Sequence, residues 1–426
     1  MIKNEIINWL HKQSTIVENL SFVTILQLFY VVSPLITFPY LTHVLGMELY
    51  GMIITAQVLV SYANLIINFG SDKVCAKHIA IYHGNKEKQS EVLCSVFYVR
   101  LILWAVCFCL YIGVVLLVPS YRFFVLLFLI FYSTTLNDLF FPQYFFQGIE
   151  KMKFSTLISV GARLVFIILI FFIVKSPTDY IYVPVLYGLG SVFSGLISFV
   201  LIFSKMKYHF YTPSLKTCLW YVKDASPLFV VDLILTIKDK FNVLLLGVFC
   251  GMATVVVYDI GTKINSLMNK PAEIISTVML PSFSRSRNIA KFNMGLHVMV
   301  TIVICGIILV NIFMPQIVNF FIHKEIELIP LRIFSISPLF LSINTYMASN
   351  LFVAFGYNKY QLYSILVATA AYLAALAIVY FTGNLSNIFG FILLTLTAYF
   401  VEFVYRIYLS RKVLLNEELR ISKKNL

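Results

Sequence analysis

Five polar residues, Asp259, Lys263, Ser266, Lys270 and Glu273, recur at i, i+4, i+7, i+11 and i+14 in an otherwise apolar stretch. On a helix of about 3.6 residues per turn this spacing places all five on one stripe. Lysines on such a stripe meet an anion by charge and hydrogen bonding, so it reads as a hydrophilic wall offered to an anionic ligand. The alternative is bland: Asp259 pairs internally with Lys263, while Lys270 and Glu273 sit near a membrane interface. Just upstream stand Asp232, Thr236, Lys238, Asp239, Lys240 and Asn242. Asp232, Thr236 and Asp239 share a face with Lys240 at its edge, and Lys238 points away. These groups either join the same polar wall or form a structural ion pair with the next helix, such as Asp239 to Lys263.

A third, uncharged stripe comprises Gln57, Ser61, Asn64 and Asn68. Amides and hydroxyls suit sugar hydroxyls, and they equally hydrogen-bond neighbouring helices. Arg100 and Arg163 are further cations for an anionic substrate, with Asp138 as a partner for a structural pair. Glu402 and Arg406 read as an interfacial ion pair at i,i+4. No metal centre is expected, since the seven histidines and seven cysteines show no ligand spacing. Gly188, Gly190 and Gly195 with Ser191 and Ser194 read as a small-residue packing face, not a phosphate loop. No cofactor is implied.

The elements that position these residues follow from composition. Of 426 residues, 60% are hydrophobic and 12% charged, and the mean hydropathy is +0.89. Soluble domains run at roughly 45–50% apolar and about 25% charged. The expectation is an all-α polytopic membrane protein with no room for a soluble catalytic domain. A spanning helix needs about 20 apolar residues. Twelve candidate spans fall near 22–42, 50–70, 92–118, 122–146, 154–174, 181–203, 220–246, 253–280, 295–322, 330–355, 361–382 and 387–409. The net charge of +13 would suggest nucleic acid in a soluble chain. Here it reflects Lys and Arg gathered in cytoplasmic loops, so no nucleic-acid partner is expected. With a cytoplasmic N-terminus, 21 basic residues lie inside and three outside, Arg122, Lys175 and Lys324. Both termini are then cytoplasmic. Residues 1–20 lack a long apolar core, and Ile2, Ile6, Trp9 and Leu10 share a face suited to the membrane surface.

Two weak internal matches suggest duplication. Gly148 to Lys151 resembles Gly356 to Lys359 at an offset of 208, and Leu45-Gly46 resembles Leu246-Gly247 at an offset of 201. The expected organisation is two pseudo-symmetric six-helix bundles, 21–206 and 207–410, around a central cavity, with an interfacial segment 1–20 and a basic tail 411–426. Parallel repeats of this kind typify transporters. Prolines 34, 39, 227 and 271 lie inside or beside spans one, seven and eight, where kinks are tolerated.

The stretch from Phe38 to Gly46 with Tyr50-Gly51 resembles the first span and loop of Wzx-type polysaccharide flippases. So do Phe141 to Met152, Val174 to Tyr180, and Lys263-Ile264 continuing to Leu280 through Ser284. The resemblance runs over roughly residues 20–290 and is looser beyond. His43 departs from it, since the family often has Arg there. That family belongs to the MOP (multidrug/oligosaccharidyl-lipid/polysaccharide) exporter superfamily. The resemblance implies a transporter, not an enzyme, moving undecaprenyl-diphosphate-linked oligosaccharides across the bacterial inner membrane for O-antigen or capsule assembly. It implies membrane lipids, a polysaccharide polymerase and a chain-length regulator as partners. On this reading Lys263, Lys270, Lys240, Arg163, Arg100, Asn64 and Asn68 bind substrate, and Asp239, Asp232 and Asp259 couple transport to an ion gradient. The alternatives are a MOP-fold exporter of a drug or another lipid diphosphate, and a membrane polysaccharide polymerase or ligase. The short outer connectors argue against the last.

The orientation is directly testable. Alkaline phosphatase fused after residue 48, 120 or 326 is expected to be active, and after residue 86 or 288 inactive. Activity of the fusion at 86 would invert the topology.

Overall fold

The computed structural model describes residues 2–287 and 289–424, apart from the side chains of 2–17, 20, 278, 281, 282, 285, 286, 384 and 416–424. The amphipathic face expected from Ile2, Ile6, Trp9 and Leu10 therefore lies outside the described residues, as do the side chains of the tail beyond Leu415. Among the described residues the regular structure is all helical, and helix covers each of the twelve expected segments. Among the described residues, eight stretches are long and apolar enough to cross a membrane. The chain is an all-α, multi-pass membrane protein. It divides into two compact units, Met1–Leu233 and Ile234–Leu426.

The first unit begins with α1 (Ile2–Asn68), which holds the first two expected spans in one helix. The two parts meet at Gly46, whose φ of 78° and ψ of 165° leave the helical region. Left-handed backbone at Phe69 and Gly70 then turns the chain into α2 (Ser71–Ile81). Next come α3 (Lys86–Leu117) and α4 (Pro119–Arg122). The fourth expected span is broken. It comprises α5 (Val125–Tyr132), a 3-10 turn at Ser133–Thr135, α6 (Leu136–Phe140) and α7 (Gln143–Gly148). The break before α7 follows from Pro142, which can neither donate to the preceding turn nor clear it sterically. The unit continues with α8 (Met152–Ile173) and α9 (Tyr182–Val200). Gly188 and Gly195, two turns apart, do form a packing face, and Gly190 packs on another side of α9. A Cβ at Gly195 would lie 2.7 Å from that of Phe140, and one at Gly190 2.9 Å from the Phe166 ring.

The second unit contains α11 (Met252–Ser286), α12 (Ile289–Ile312), α13 (Met314–Ile322), α14 (Ile329–Phe334) and α15 (Ser337–Met347). A π-helical turn, Ala348–Val353, follows α15, and α16 (Asn358–Phe381) and α17 (Ile388–Lys424) close the chain. Its core includes Phe283, Phe292, Met299, Tyr346, Leu351, Phe352 and Val413. Gly251, before α11, has φ 88° and ψ 161°, nearly the conformation of Gly46, 205 residues earlier. Positive φ likewise recurs at Glu150 and Gly356.

Helix α10 (Leu215–Phe249) runs through the division between the units. The sequence suggested a boundary at 206/207, whereas the compact units part at 233/234, and two attachments within the first unit account for the difference. The chain from Met206 to Thr212 is strapped along α3. Lys86 Nζ donates to the Met206 carbonyl at 3.0 Å, Tyr208 Oη to Gln89 Oε1 at 2.9 Å, and the His209 amide to Ser90 Oγ at 3.1 Å. The Cys94 thiol accepts the Tyr211 amide at 3.5 Å and donates to the His209 carbonyl at 3.6 Å. The beginning of α10 is then gripped beside α2. His78 Nε2 meets Asp224 Oδ2 at 2.8 Å, its ring packs 5.1 Å from Trp220, and Lys73 approaches Asp232 at 3.8 Å.

Gly70 sits in the tightest part of this grip. A Cβ there would lie 2.7 Å from the Phe229 amide nitrogen and 2.8 Å from the Ala225 carbonyl oxygen, on a backbone with φ +75°. Gly70→Ala is therefore expected to destabilise the protein by about 1–3 kcal/mol, the usual range for overpacking. Gly113→Ala, in open space on α3, should be neutral. Thermal unfolding of both variants in detergent checks the contrast.

Candidate functional site

The first unit's polar residues converge on a buried guanidinium. Arg100 is 2% exposed. Its Nη2 donates to Asn68 Oδ1 at 2.9 Å, Ser71 Oγ at 2.6 Å and Asp72 Oδ1 at 2.8 Å. Its Nη1 donates to the Asp138 carbonyl at 2.6 Å, and the guanidinium lies 5.1 Å over the Tyr144 ring. That carbonyl is the one a regular helix would offer to the amide of residue 142, and residue 142 is proline. Arg100 thus fills a vacancy made by Pro142, and its carboxylate partner is Asp72. Asp138, expected as the partner, contributes its backbone. Asn68 also donates to Asp72 Oδ2 at 2.6 Å, which ties the end of α1 into the turn. Asn64, one helical turn earlier, keeps a buried Oδ1 that has no hydrogen-bond partner. Arg163 stands apart from this group, half-buried on α8, with its guanidinium 5.0 Å over the Tyr30 ring.

The second unit contains two different polar arrangements. On α11, Lys263 is hydrogen-bonded to Asp259, and Lys270 to Glu273. All four are half-open, with side-chain exposures of 22%, 15%, 24% and 39% in that order, and Ser266 between them is exposed. Both the stripe and its internal pairing are present together. The flank of the stripe on the Glu273 side is polar too: Asn269 Nδ2 donates to Glu273 Oε1 at 3.0 Å while its Oδ1 accepts from Ser342 Oγ at 3.2 Å, and Asn350 Nδ2 donates to Ser276 Oγ at 3.3 Å. Asp239 and Lys240, on α10, are exposed, and Tyr399 Oη donates to Asp239 at 3.4 Å. Asp232 lies in the first unit, near Lys73.

The second arrangement is a buried ion cluster, and it places Lys238 in a role that sequence reasoning missed. Lys238 Nζ donates to Glu402 Oε2 at 2.9 Å, and Arg406 Nη2 approaches Glu402 Oε1 at 2.6 Å. Arg406 also donates to Ser364 Oγ at 2.9 Å and to the Asn344 carbonyl, just before the π-helical turn. All three ions are nearly inaccessible, so the Glu402–Arg406 pair is buried and ties α17 to α10, α15 and α16. Its i,i+4 spacing was visible in sequence, but its burial and third member were not. Nearby, Asn242 donates to Tyr258, Thr395 and the Phe391 carbonyl and accepts from Tyr372 at 2.6 Å. This locks α10 to α11, α16 and α17.

The chain matches a family model described as "Polysaccharide biosynthesis protein" over residues 16–287. It belongs to this family. The matched stretch agrees with the reach of the Wzx-type resemblance and contains all four of its motifs. Two similar proteins are named "Putative O-antigen transporter". One, from Shigella dysenteriae, is 25% identical over 363 residues, covering 82% of this chain and 89% of that protein. The other, from Escherichia coli (strain K12), is 24% identical over 251 residues, covering 59% of this chain and 60% of the relative's length. Among solved structures, an outward-facing MATE multidrug transporter of the MOP superfamily superposes with a TM-score of 0.61 at 14% identity, covering 92% of both chains. The lipid II flippase MurJ, in an inward closed conformation, gives 0.61 at 15% identity, covering 94% of this chain and 91% of that one. The family member described here therefore has the fold of MOP transporters.

The buried cluster yields an ordered prediction. Glu402→Leu leaves Lys238 and Arg406 without their shared anion and is expected to cost about 3–5 kcal/mol. Lys238→Met leaves Glu402 paired with Arg406 and should cost less. Thermal unfolding in detergent gives the order; equal effects would show that Glu402 does not bridge the two cations.

Proposed function

We propose that this family member is a flippase that moves undecaprenyl-diphosphate-linked oligosaccharide repeat units across the bacterial inner membrane by alternating access, with both termini cytoplasmic. The reading is supported by the names of the similar O-antigen transporters, by the likeness to the MurJ fold and by the family match. The observation that carries it is the α11 stripe. Lys263 and Lys270 are each accessible, and each is held by a carboxylate only one helical turn away. Such a lysine has an anionic partner in the absence of ligand. A diphosphate, with more negative charge and more acceptor oxygens than one carboxylate, competes for it. Lys240, exposed on α10, is the next cation for the same anion, and Arg163 is a candidate cation of the first unit. Arg100, Asn68 and Asn64 act from the first unit, Arg100 and Asn68 by holding the α1–α2 turn. The product would pass to a polysaccharide polymerase and a chain-length regulator.

Coupling follows from the same exchange. Binding of an anion to lysine frees a carboxylate, and in a low-dielectric site a freed carboxylate can take up a proton. Asp239, beside Lys238 and Lys240, is the first candidate carrier, with Asp259 and Asp232 next.

One set of vesicles tests both statements. Lys263→Ala is expected to abolish flipping with protein abundance unchanged, and Lys263→Arg to retain part of it. Asp239→Asn is expected to remove substrate-stimulated proton flux. Full activity of Lys263→Ala would remove that residue from the site, and flipping indifferent to both Asp239→Asn and an imposed pH gradient would place coupling elsewhere.

A further inference from the structure

Helices α16 and α17 leave a groove of about 500 Å³ on the second unit, lined by Val367, Phe400, Val401, Val404, Tyr405 and Tyr408. No polar atom lines it, and Phe400, Val404 and Tyr408 are about half exposed. One end is marked by charge. Lys412 Nζ lies 4.5 Å over the Tyr408 ring, and Arg411 and Lys412 are both exposed. The first turn of α16 reaches the same core as this part of α17, since Tyr357, Tyr360 and Tyr405 all pack against the cluster that contains Leu409 and Val413. It brings exposed Lys359 there. Tyrosines followed by basic residues are the pattern of a membrane–water interface, with the phosphate plane at the cations and hydrocarbon beneath.

We propose that this groove is a binding site for an anionic phospholipid, with one acyl chain along α17 from Tyr408 to Phe400 and the phosphate at Lys412 and Arg411. The occupant is chosen by length and charge. Twelve residues separate Phe400 from Lys412, a rise of about 18 Å at about 1.5 Å per residue. One leaflet of hydrocarbon is about 15 Å deep, half of the ~30 Å core. The groove therefore suits a chain that ends within its own leaflet, whereas a long polyprenyl chain would overrun it. An apolar lining beneath exposed cations selects a lipid whose only strong polar demand is a phosphate with net negative charge. A zwitterionic headgroup carries its own ammonium and gains less from Lys412. The site does not depend on the transport reading, because none of its residues belongs to the α11 stripe.

Tryptophan quenching tests the assignment. Val404→Trp places a reporter in the groove, Val367→Trp a second on the facing helix in case the first variant fails to fold, and Ile168→Trp, on the exposed side of α8, a reference. Each is reconstituted with a small fraction of brominated phosphatidylglycerol, or of brominated phosphatidylcholine, in unlabelled phosphatidylcholine, and the signal of the parent chain is subtracted. At the groove, phosphatidylglycerol is expected to quench with about fivefold greater apparent affinity per basic residue engaged. The preference should fall toward unity in Lys412→Gln combined with Arg411→Gln, and be absent at Ile168→Trp. Equal quenching by both lipids, or a preference that survives loss of both cations, would overturn the proposal. So would displacement of brominated phosphatidylglycerol by equimolar polyprenyl phosphate, which would assign the groove to the lipid-linked substrate.

Discussion

A backbone carbonyl within hydrocarbon has no water to turn to, and a break in a helix leaves such carbonyls open. In both compact units the most buried arginine among the described residues donates to a main-chain carbonyl close to an irregularity in a helix, and in the first unit that carbonyl is one the break leaves open. Arg100 takes the Asp138 carbonyl that Pro142 cannot satisfy, whereas Arg406 adds a second donor to the Asn344 carbonyl, which already accepts the Ala348 amide where α15 passes into a π-helical turn. Each arginine then needs its own counter-charge, supplied by Asp72 and by Glu402. In the first unit the ion pair thus follows from the broken helix, and in both units much of the polar interior follows from the ion pair. Asn68 and Ser71 complete the first, Lys238 and Ser364 the second.

This dependence explains what the sequence revealed and what it did not. Apolar runs located the helices, because a segment of about 20 apolar residues has few other solutions in a membrane. Gly46 was legible as a special position, although its counterpart by backbone conformation is Gly251 and not Gly247, which shares the Leu-Gly dipeptide. What recurs is a left-handed residue just before a helix, and neighbouring letters do not encode that. The small-residue face of α9 was legible for the same reason as the spans, since periodicity reports which side of a helix is crowded.

Charges were legible as positions and much less so as pairs. The α11 stripe could be read because both of its ion pairs are local, within four residues. Lys238 and Glu402 are 164 residues apart, and no spacing rule connects them. Arg100 shows the limit in another way. An aspartate in the next expected span suggested a carboxylate partner, yet Asp138 answers through its main chain because of a proline four residues on. The proposed lipid groove had no sequence signal beyond the tyrosines near the ends of α16 and α17, since a concave surface needs two helices to exist.

The strap along α3 changes what counts as the seam of this molecule. By composition, the basic, extended stretch after α9 looks like loose thread between two halves, and a builder of chimaeras would cut there. Its amides and carbonyls are already committed to Ser90, Cys94 and Lys86, and the first turns of α10 are committed to α2. A hybrid joined at 206/207 would pair one parent's strap with the other parent's helix, mismatching several contacts at once. Joined within α10 just beyond Leu233, the same hybrid would inherit strap, grip and helix from a single ancestor, with an uninterrupted helix as the splice.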